Sequence, residues 1–330
     1  MIRLLFSSIL MVCAYVGMAQ MQPPRLGQVY LETYTQNRQR ITDVPGETYR
    51  VSGMSFGMML PVYSKTFGQR SDTLPPSRLV FTIHPSVSYG LLKISYLNQE
   101  RVLMNPQLTI GSYYTFKQKN MLGINLRAML NEDEFTIDNP KPRYAFSALY
   151  SRRVTPMFSY YGGLAYSYVF GEGQLLPLFG ARFSFGKRAR LNIVLPLQIT
   201  YRTPLSNKLR LMVYVRPQGG INRFENRLTI SDSLQKVLVF RRRSVLVGAS
   251  FSFRIKNNLA VVVDPSFLFA QKISFTEDEG AGAQKFIDND LSRGFQLRLM
   301  LVWRPWQNTL RNQQHPENQT NDDDSFLLGF

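Results

Sequence analysis

The chain repeats one pattern along most of its 330 residues: apolar side chains occupy every second position over stretches of about 10 residues. The stretch LNIVLPLQITYR (191–202) shows this alternation, which Val194 and Pro196 interrupt. A period of two belongs to β-strands, because successive side chains point to opposite faces of a sheet. Each predicted strand therefore has one apolar face, which must meet either a protein core or lipid.

Six further segments carry the same alternation, at residues 122–130, 158–170, 179–185, 209–216, 245–255 and 295–303. Their length suits a tilted β-strand that crosses a membrane, which needs about 9–11 residues. Strands of soluble proteins are usually shorter, at about 5–6 residues. We therefore predict an all-β fold, a transmembrane antiparallel β-barrel of about 12 strands within a range of about 10–14. The alternative is a soluble exported β-protein, in which the apolar faces of two sheets pack together.

The connections between the predicted strands are of two kinds. Short basic connections lie at 117–120, 186–190, 206–208 and 254–258, and longer acidic ones lie at 131–142 and 275–294. Outer-membrane barrels have short periplasmic turns and longer extracellular loops. This asymmetry favours a membrane barrel, although ordinary solvated hairpin turns would also explain single connections.

The first residues predict export. Arg3 precedes an apolar run from Leu4 to Val16, and small residues follow at Gly17 and Ala19. We interpret 1–19 as a signal peptide that is cleaved before Gln20, the alternative being an uncleaved membrane anchor. An N-terminal segment (20–27), the barrel (28–304) and a polar C-terminal tail (305–330) would follow. Cys13 is the only cysteine, so the mature chain would have no disulfide and no thiol chemistry.

The formal net charge is +17, although charged residues make up only 18% of the chain against about 25% in typical soluble domains. A basic balance fits nucleic acid, anionic lipid or a cationic channel wall, and the export signal argues against nucleic acid. Arginines recur on the predicted inner faces, at Arg127, Arg182, Arg202, Arg210, Arg216, Arg254 and Arg298. Together with Asp264 and His84 they are candidate lumen-lining residues. They either form a lumen that favours anions or pair with carboxylates such as Asp264, or lie solvated at the rims.

Candidates for catalysis are few, because the chain has only two histidines, His84 and His315. A serine on another strand could join His84 in a lipid-hydrolysing site, but a hydrogen-bonded histidine inside the barrel is the simpler interpretation. The acidic runs 132–134 and 277–279 lack the spacing of a calcium-binding motif. We therefore predict no catalytic residue, no metal site and no cofactor.

The segment YYGGLAYSYVFGEGQLLPLFGARF (160–183), followed by 191–202, resembles outer-membrane β-barrel families of Gram-negative bacteria, including families without an assigned function. The resemblance covers about residues 28–304 and implies a barrel in the outer membrane. Its partners would be outer-membrane lipid, lipopolysaccharide and, during biogenesis, the barrel assembly machinery. Trp303 and Trp306 flank the end of the last predicted strand, as an interfacial aromatic girdle requires. Phe330 is similar to a terminal aromatic signal, but it lies far beyond that strand.

Two functions follow from this sequence. The first is a narrow pore or transporter with a basic lumen that favours small anionic solutes. The second is a non-catalytic structural or assembly component of the outer membrane with a plugged barrel. A lipid-modifying barrel enzyme is a third possibility, which the scarcity of histidine disfavours.

Overall fold

The computed structural model describes residues 27–67, 77–95, 100–116, 119–134, 136–185, 189–225, 237–276 and 285–304. The predicted signal peptide and the predicted polar tail lie outside these ranges, as does His315. Within the described ranges, no helix is both long enough and apolar enough to cross a membrane.

The described residues form seventeen strands. The first nine are β1 (Gln28–Gln36), β2 (Gln39–Arg40), β3 (Thr48–Phe67), β4 (Ser77–Ile94), β5 (Glu100–Phe116), β6 (Asn120–Met129), β7 (Glu132–Asp133), β8 (Arg143–Arg153) and β9 (Phe158–Ser167). The others are β10 (Gln174–Phe185), β11 (Ala189–Leu195), β12 (Gln198–Pro204), β13 (Leu209–Glu225), β14 (Val237–Lys256), β15 (Leu259–Thr276), β16 (Lys285–Leu291) and β17 (Gly294–Trp303).

Fourteen of these strands close into an antiparallel barrel, which confirms the predicted fold class. The members are β1, β3–β6, β8–β15 and β17, and β1 pairs with β17 to close the ring, with Val29 opposite Trp303. The count is the upper limit of the predicted range and exceeds the preferred count by two. We call the end with Gly27, Arg304 and the short turns the proximal end, and the opposite end the distal end.

One sequence interpretation is wrong: residues 191–202 are not a single strand. They form a hairpin of β11 and β12, joined by a turn at Pro196 and Leu197, in which Ile193 lies opposite Ile199. The interruption of the alternation at Val194 and Pro196 marks this turn. Apolar residues continue the outer face on both sides of it, which is why the sequence pattern looks continuous.

The outer surface carries a belt of exposed apolar side chains around the barrel. Members of this belt include Leu31, Phe81, Ile110, Leu126, Phe146, Leu164, Phe179, Ile199, Val213, Phe253, Phe267 and Leu301. Leu126 and Phe179 are each 58% exposed. A soluble protein would bury such a continuous apolar surface, so the predicted outer faces touch lipid. The alternative of a soluble β-protein with two packed sheets is therefore wrong.

The strands differ greatly in length. β3 and β14 have 20 residues each, whereas β11 and β12 have 7 residues each. Because a membrane crossing needs about 9–11 residues, the long strands extend beyond the apolar belt on the distal side. Charged side chains are exposed on this extension, for example Arg50, Lys93 and Arg243. The extension therefore stands in water.

The extended strands close into a second, narrower ring, which we call the distal section. Its strand order is β2, β3, β4, β5, β7, β13, β14, β15 and β16, and a bridge between Ile41 and Leu291 completes it. Within it β7 pairs with β5 on one side and with β13 on the other. A buried cluster that includes Tyr49, Leu92, Phe224, Phe240 and Phe275 packs inside this ring. Barrels of about 8 strands are filled by side chains, and this narrow section follows that rule.

Candidate functional site

A cavity of about 150 Å³ lies inside the barrel where the fourteen-strand section narrows to the distal section. We call it the lumen cavity. Three arginines line it, Arg127 from β6, Arg216 from β13 and Arg242 from β14. None of the described residues that line it is acidic. Its remaining polar lining is dominated by amide side chains, at Asn105, Gln107, Asn131, Gln198, Gln218 and Asn222.

Neutral neighbours help to hold the three guanidinium groups. The Nε atom of Arg127 donates a hydrogen bond of 3.2 Å to the Thr109 hydroxyl. The guanidinium of Arg216 lies 4.9 Å from the centre of the Tyr214 ring. Arg242 Nη1 donates to the Tyr49 hydroxyl at 3.3 Å. These contacts position positive charge along the cavity wall, and Arg216 also interacts electrostatically with Glu32 and Asp264 of the neighbouring wall.

Two amide side chains in the same lining have hydrogen-bonding capacity left over. Gln107 and Gln218 are each 7% exposed. Gln107 Nε2 and Gln218 Oε1 have no hydrogen-bond partner among the described residues. A buried polar atom without a partner costs free energy, so these atoms favour an occupant that can accept from one and donate to the other.

Arg298 and Asp264, both candidates from the sequence, belong to a buried charge network beside the lumen cavity. Arg298 donates from Nε to Asp264 at 2.9 Å and makes a second contact with the same carboxylate through Nη2. Its Nη1 lies 3.7 Å from Glu32 Oε2. The Tyr214 hydroxyl donates to the other Asp264 oxygen at 2.6 Å. Arg298 is thus paired with buried carboxylates, which was the predicted alternative to an arginine that faces solutes.

A glycine on the intervening strand makes the contact between Tyr214 and Asp264 possible. Tyr214 lies on β13 and Asp264 on β15, so the tyrosine must cross β14 at Gly248. A Cβ atom at Gly248 would lie 2.6 Å from the Tyr214 hydroxyl and 2.7 Å from the ring carbon that carries it. Only glycine leaves this crossing open without displacing the ring.

His84 faces the interior, as predicted, and is 4% exposed. Its Nε2 atom lies 3.2 Å from the Tyr30 hydroxyl, and the two rings meet edge to face. Among the described residues, the partner of this nitrogen is therefore a tyrosine, whereas a lipid-hydrolysing site would need a serine. This contact fits the simpler interpretation of His84 as a hydrogen-bonded interior histidine.

The other candidate arginines lie toward the proximal end. Arg182 stacks against Tyr161, with 5.7 Å between the guanidinium carbon and the ring centre. Arg202 lies directly opposite Arg190 in the pairing of β11 with β12. Arg210 and Arg254 lie near the proximal ends of β13 and β14. Glu172 is the only acidic residue in the sequence between Asp138 and Glu225, so this part of the inner wall is basic.

Sequence reasoning missed the residues that hold β7 in the wall. Glu132 lies 3.5 Å from Arg223 Nη1 and 3.9 Å from Arg143 Nη1. Asp133 lies 3.7 Å from Arg101 Nη1 and accepts from the Glu225 backbone amide at 3.0 Å. Both carboxylates are fully buried. Part of the predicted acidic loop 131–142 is thus a wall strand, and its partners are too far apart in sequence to reveal this.

Arg242 was also missed. The run Arg241, Arg242 and Arg243 gives no alternation of polarity, so the sequence does not say which of the three faces inward. The structure separates them: Arg242 lines the lumen cavity, Arg243 is exposed, and Arg241 is buried in an ion pair of 2.9 Å with Glu172. The three consecutive arginines were the only signal in the sequence that could have drawn attention to this position.

The closed ring and its apolar belt define the chain as a transmembrane β-barrel of the outer-membrane type. More particularly, the chain belongs to the family described as Domain of unknown function (DUF6268), whose model matches residues 18–295. None of the curated proteins matches the sequence.

Solved structures with some similarity are themselves outer-membrane barrels. The COG4313 outer membrane channel from Pseudomonas putida F1 aligns at a TM-score of 0.42 and 9% identity, covering 88% of this chain and 100% of that chain. The P. putida toluene transporter TodX aligns at 0.38 and 10% identity, covering 86% and 91%. The translocator domain of autotransporter NalP from Neisseria meningitidis aligns at 0.39 and 11% identity, covering 84% and 88%.

Proposed function

We propose that this protein is a narrow, gated outer-membrane pore or transporter that binds small anionic solutes in the lumen cavity. The observation that carries the proposal is the lining of that cavity, in which Arg127, Arg216 and Arg242 are not accompanied by any described acidic residue. A ring of cationic side chains in a confined pore favours anions. Gln107 Nε2 supplies an uncommitted hydrogen-bond donor beside them.

Passage requires movement, because the buried cluster fills the distal section. The proximal end carries Arg182, Arg202, Arg210 and Arg254, which would attract anions toward the cavity from that side. The distal section would act as the gate, opening where its side chains or β7 shift. Outer-membrane lipid and lipopolysaccharide would surround the apolar belt, and the barrel assembly machinery would insert the chain.

Ion selectivity in planar bilayers tests the proposal. The purified protein is reconstituted under a KCl gradient, and the reversal potential of its conductance is measured. We expect anion preference in the wild type and a loss of that preference in Arg242→Gln and in the double variant Arg127→Gln, Arg216→Gln. The matched control is Arg243→Gln, which removes the same charge from the neighbouring exposed position and should leave the reversal potential unchanged.

A second candidate function is a structural component with a plugged barrel. The filled distal section and the incorporation of β7 into the wall favour it. The same recordings separate the two functions. Conductance that prefers anions supports the pore, whereas a folded, inserted protein without conductance contradicts it and supports the plugged barrel.

A further inference from the structure

A second concavity, which we call the outer crevice, opens on the membrane-facing side of the barrel. Its volume is about 510 Å³, and its walls include Phe56, Val87, Pro106, Leu108, Leu130 and Pro142. It lies at the distal edge of the apolar belt, where β6 ends and the chain turns into β7. The crevice is therefore continuous with the surface that touches lipid.

One pair of residues lines both the outer crevice and the lumen cavity. The pair is Gln107 and Met129. They are also the last residues that pair β5 with β6 before β7 replaces β6 beside β5. Pro85 and Pro106 lie in the neighbouring β4–β5 ladder and cannot donate backbone hydrogen bonds. The wall is thus thin at this point: each of the two prolines removes one backbone donor, while the Leu130 amide still donates to the Pro106 carbonyl at 2.9 Å.

The wall also presents polar atoms that have no partner. Ser86 Oγ and Gln107 Nε2 make no hydrogen bond with any described residue. Ser86 lines the crevice, and Gln107 is more than nine-tenths buried. Arg127 lies two residues before Met129 on the same inner face of β6, inside the lumen cavity. Both donor atoms are shielded from the crevice in the closed wall, so a molecule in the crevice would meet apolar walls first and would reach these donors and Arg127 only where the wall opens.

We propose that the outer crevice is the membrane-side docking site for a single-chain amphiphile with a carboxylate head, of the fatty-acid type. Its chain lies in the crevice, and once Gln107 and Met129 part its head reaches Ser86 and Gln107 and then Arg127 and Arg216. A cavity of about 150 Å³ suits such a head but no second chain. This inference rests on the proposed function, because it names a class of anionic solute and its entry from the bilayer.

The test measures binding of dodecanoate to the full chain in detergent-free nanodiscs by isothermal titration. Ala128→Trp fills the outer crevice from an outward position of β6, and we expect at least a tenfold loss of dodecanoate affinity. Leu126→Trp is the matched control: it lies two residues away on the same face, outside the crevice, and should bind within twofold of the wild type. Dodecyltrimethylammonium should bind far more weakly than dodecanoate.

A second route keeps the result clear if Ala128→Trp does not fold. Ala128→Cys, in a Cys13→Ser background, is folded first and then blocked with a bulky maleimide, which should also abolish binding. The inference is overturned if the wild type shows no saturable dodecanoate binding, if blocking position 128 changes nothing, or if the cationic amphiphile binds equally well. If anion selectivity in bilayers is retained in that case, the proposed function stands and only this inference fails. If dodecanoate binding and anion selectivity are both absent, both proposals are contradicted.

Discussion

Some charged residues of the barrel wall stabilise the fold, whereas others place positive charge in the lumen. Arg298 bridges Glu32 and Asp264 inside the barrel, so the lumen at this point is a compensated network. Arg127, Arg216 and Arg242 line the lumen cavity, and Arg216 also interacts electrostatically with Glu32 and Asp264. Arg127, Arg216 and Arg298 share the same alternating pattern in the sequence, and Arg298 should respond very differently to substitution from the two that line the cavity.

Removing Arg298 should destabilise the barrel. Arg298→Met leaves two buried carboxylates without their closest cation, and breaking a buried pair in this way costs about 3–5 kcal/mol. Urea unfolding, followed by the mobility of unboiled samples on gels, measures the loss. Arg298→Lys keeps the charge but not the forked hydrogen bonds, so its stability should lie between those of the wild type and Arg298→Met. Unchanged stability in Arg298→Met would show that the network does not hold the wall.

Gly248 should tolerate no side chain while Tyr214 is present. Gly248→Ala places a methyl group against the Tyr214 hydroxyl, and such overpacking costs about 1–3 kcal/mol. In a Tyr214→Ala background the same substitution should cost less, because only the 2.8 Å approach to Ser266 Cβ remains. A double-mutant cycle on the unfolding midpoint measures this coupling. Additive effects would contradict the crossing of β14 by Tyr214.

At the level of elements, β7 is the part of the predicted loop 131–142 that lies in the barrel wall. Asp133 accepts hydrogen bonds from the backbone amides of Thr136 and Glu225, which ties β7 to β13. Asp133→Ala should release this segment, so that limited proteolysis cuts within 131–142 much faster than in the wild type. Asp138→Ala, at an exposed position of the same connection, is the control. Equal cleavage of both variants would indicate that the carboxylate does not hold β7.

The attachment of β16 to β15 should depend on pH. Lys272 Nζ lies 3.1 Å from Asp288, outside the apolar belt. Burial alone would raise the pKa of Asp288, but hydrogen bonds from Lys272 and Lys285 outweigh it and lower that pKa below its ordinary value. The stabilisation is therefore present above the unfolded-state pKa and is lost as the pH falls through the lowered one.

Amide hydrogen exchange of β16, corrected for intrinsic rates, measures this loss. Exchange should accelerate as the solution is acidified through the lowered pKa, while β17 remains protected. Asp288→Asn should already exchange fast at neutral pH and show no such step. A step of equal size in that variant would contradict the assignment.

The sequence predicts the faces of the strands better than their number. Arg127, Arg210 and Arg216 alternate with apolar neighbours, so their inward direction follows from the period of two. The hairpin at Pro196 is not predicted, because its turn lacks the Asn-Gly or Asp-Gly signal of short hairpins. Neither β7 nor the lumen cavity could be predicted, since both depend on contacts between residues far apart in the chain.

The whole molecule is a barrel that narrows. Fourteen strands cross the apolar belt, and a smaller ring that includes β7 closes the distal section around a packed cluster. The lumen cavity and the outer crevice both lie at this transition. A change of strand number along one barrel thus creates an interior site, a closed end and a thin place in the wall. The roles proposed for these features depend on the apolar belt lying in lipid.

The most direct test of that dependence is a lipid-contact scan along β13. Single cysteines in a Cys13→Ser background are placed at 210–213, 215 and 216, labelled with an environment-sensitive fluorophore and exposed to lipids that carry a quencher in the acyl chain. The structure predicts strong quenching at Leu211, Val213 and Val215, and little at Arg210, Met212 and Arg216. Quenching without this alternation, or none at any position, would contradict a lipid-facing belt and with it the membrane barrel.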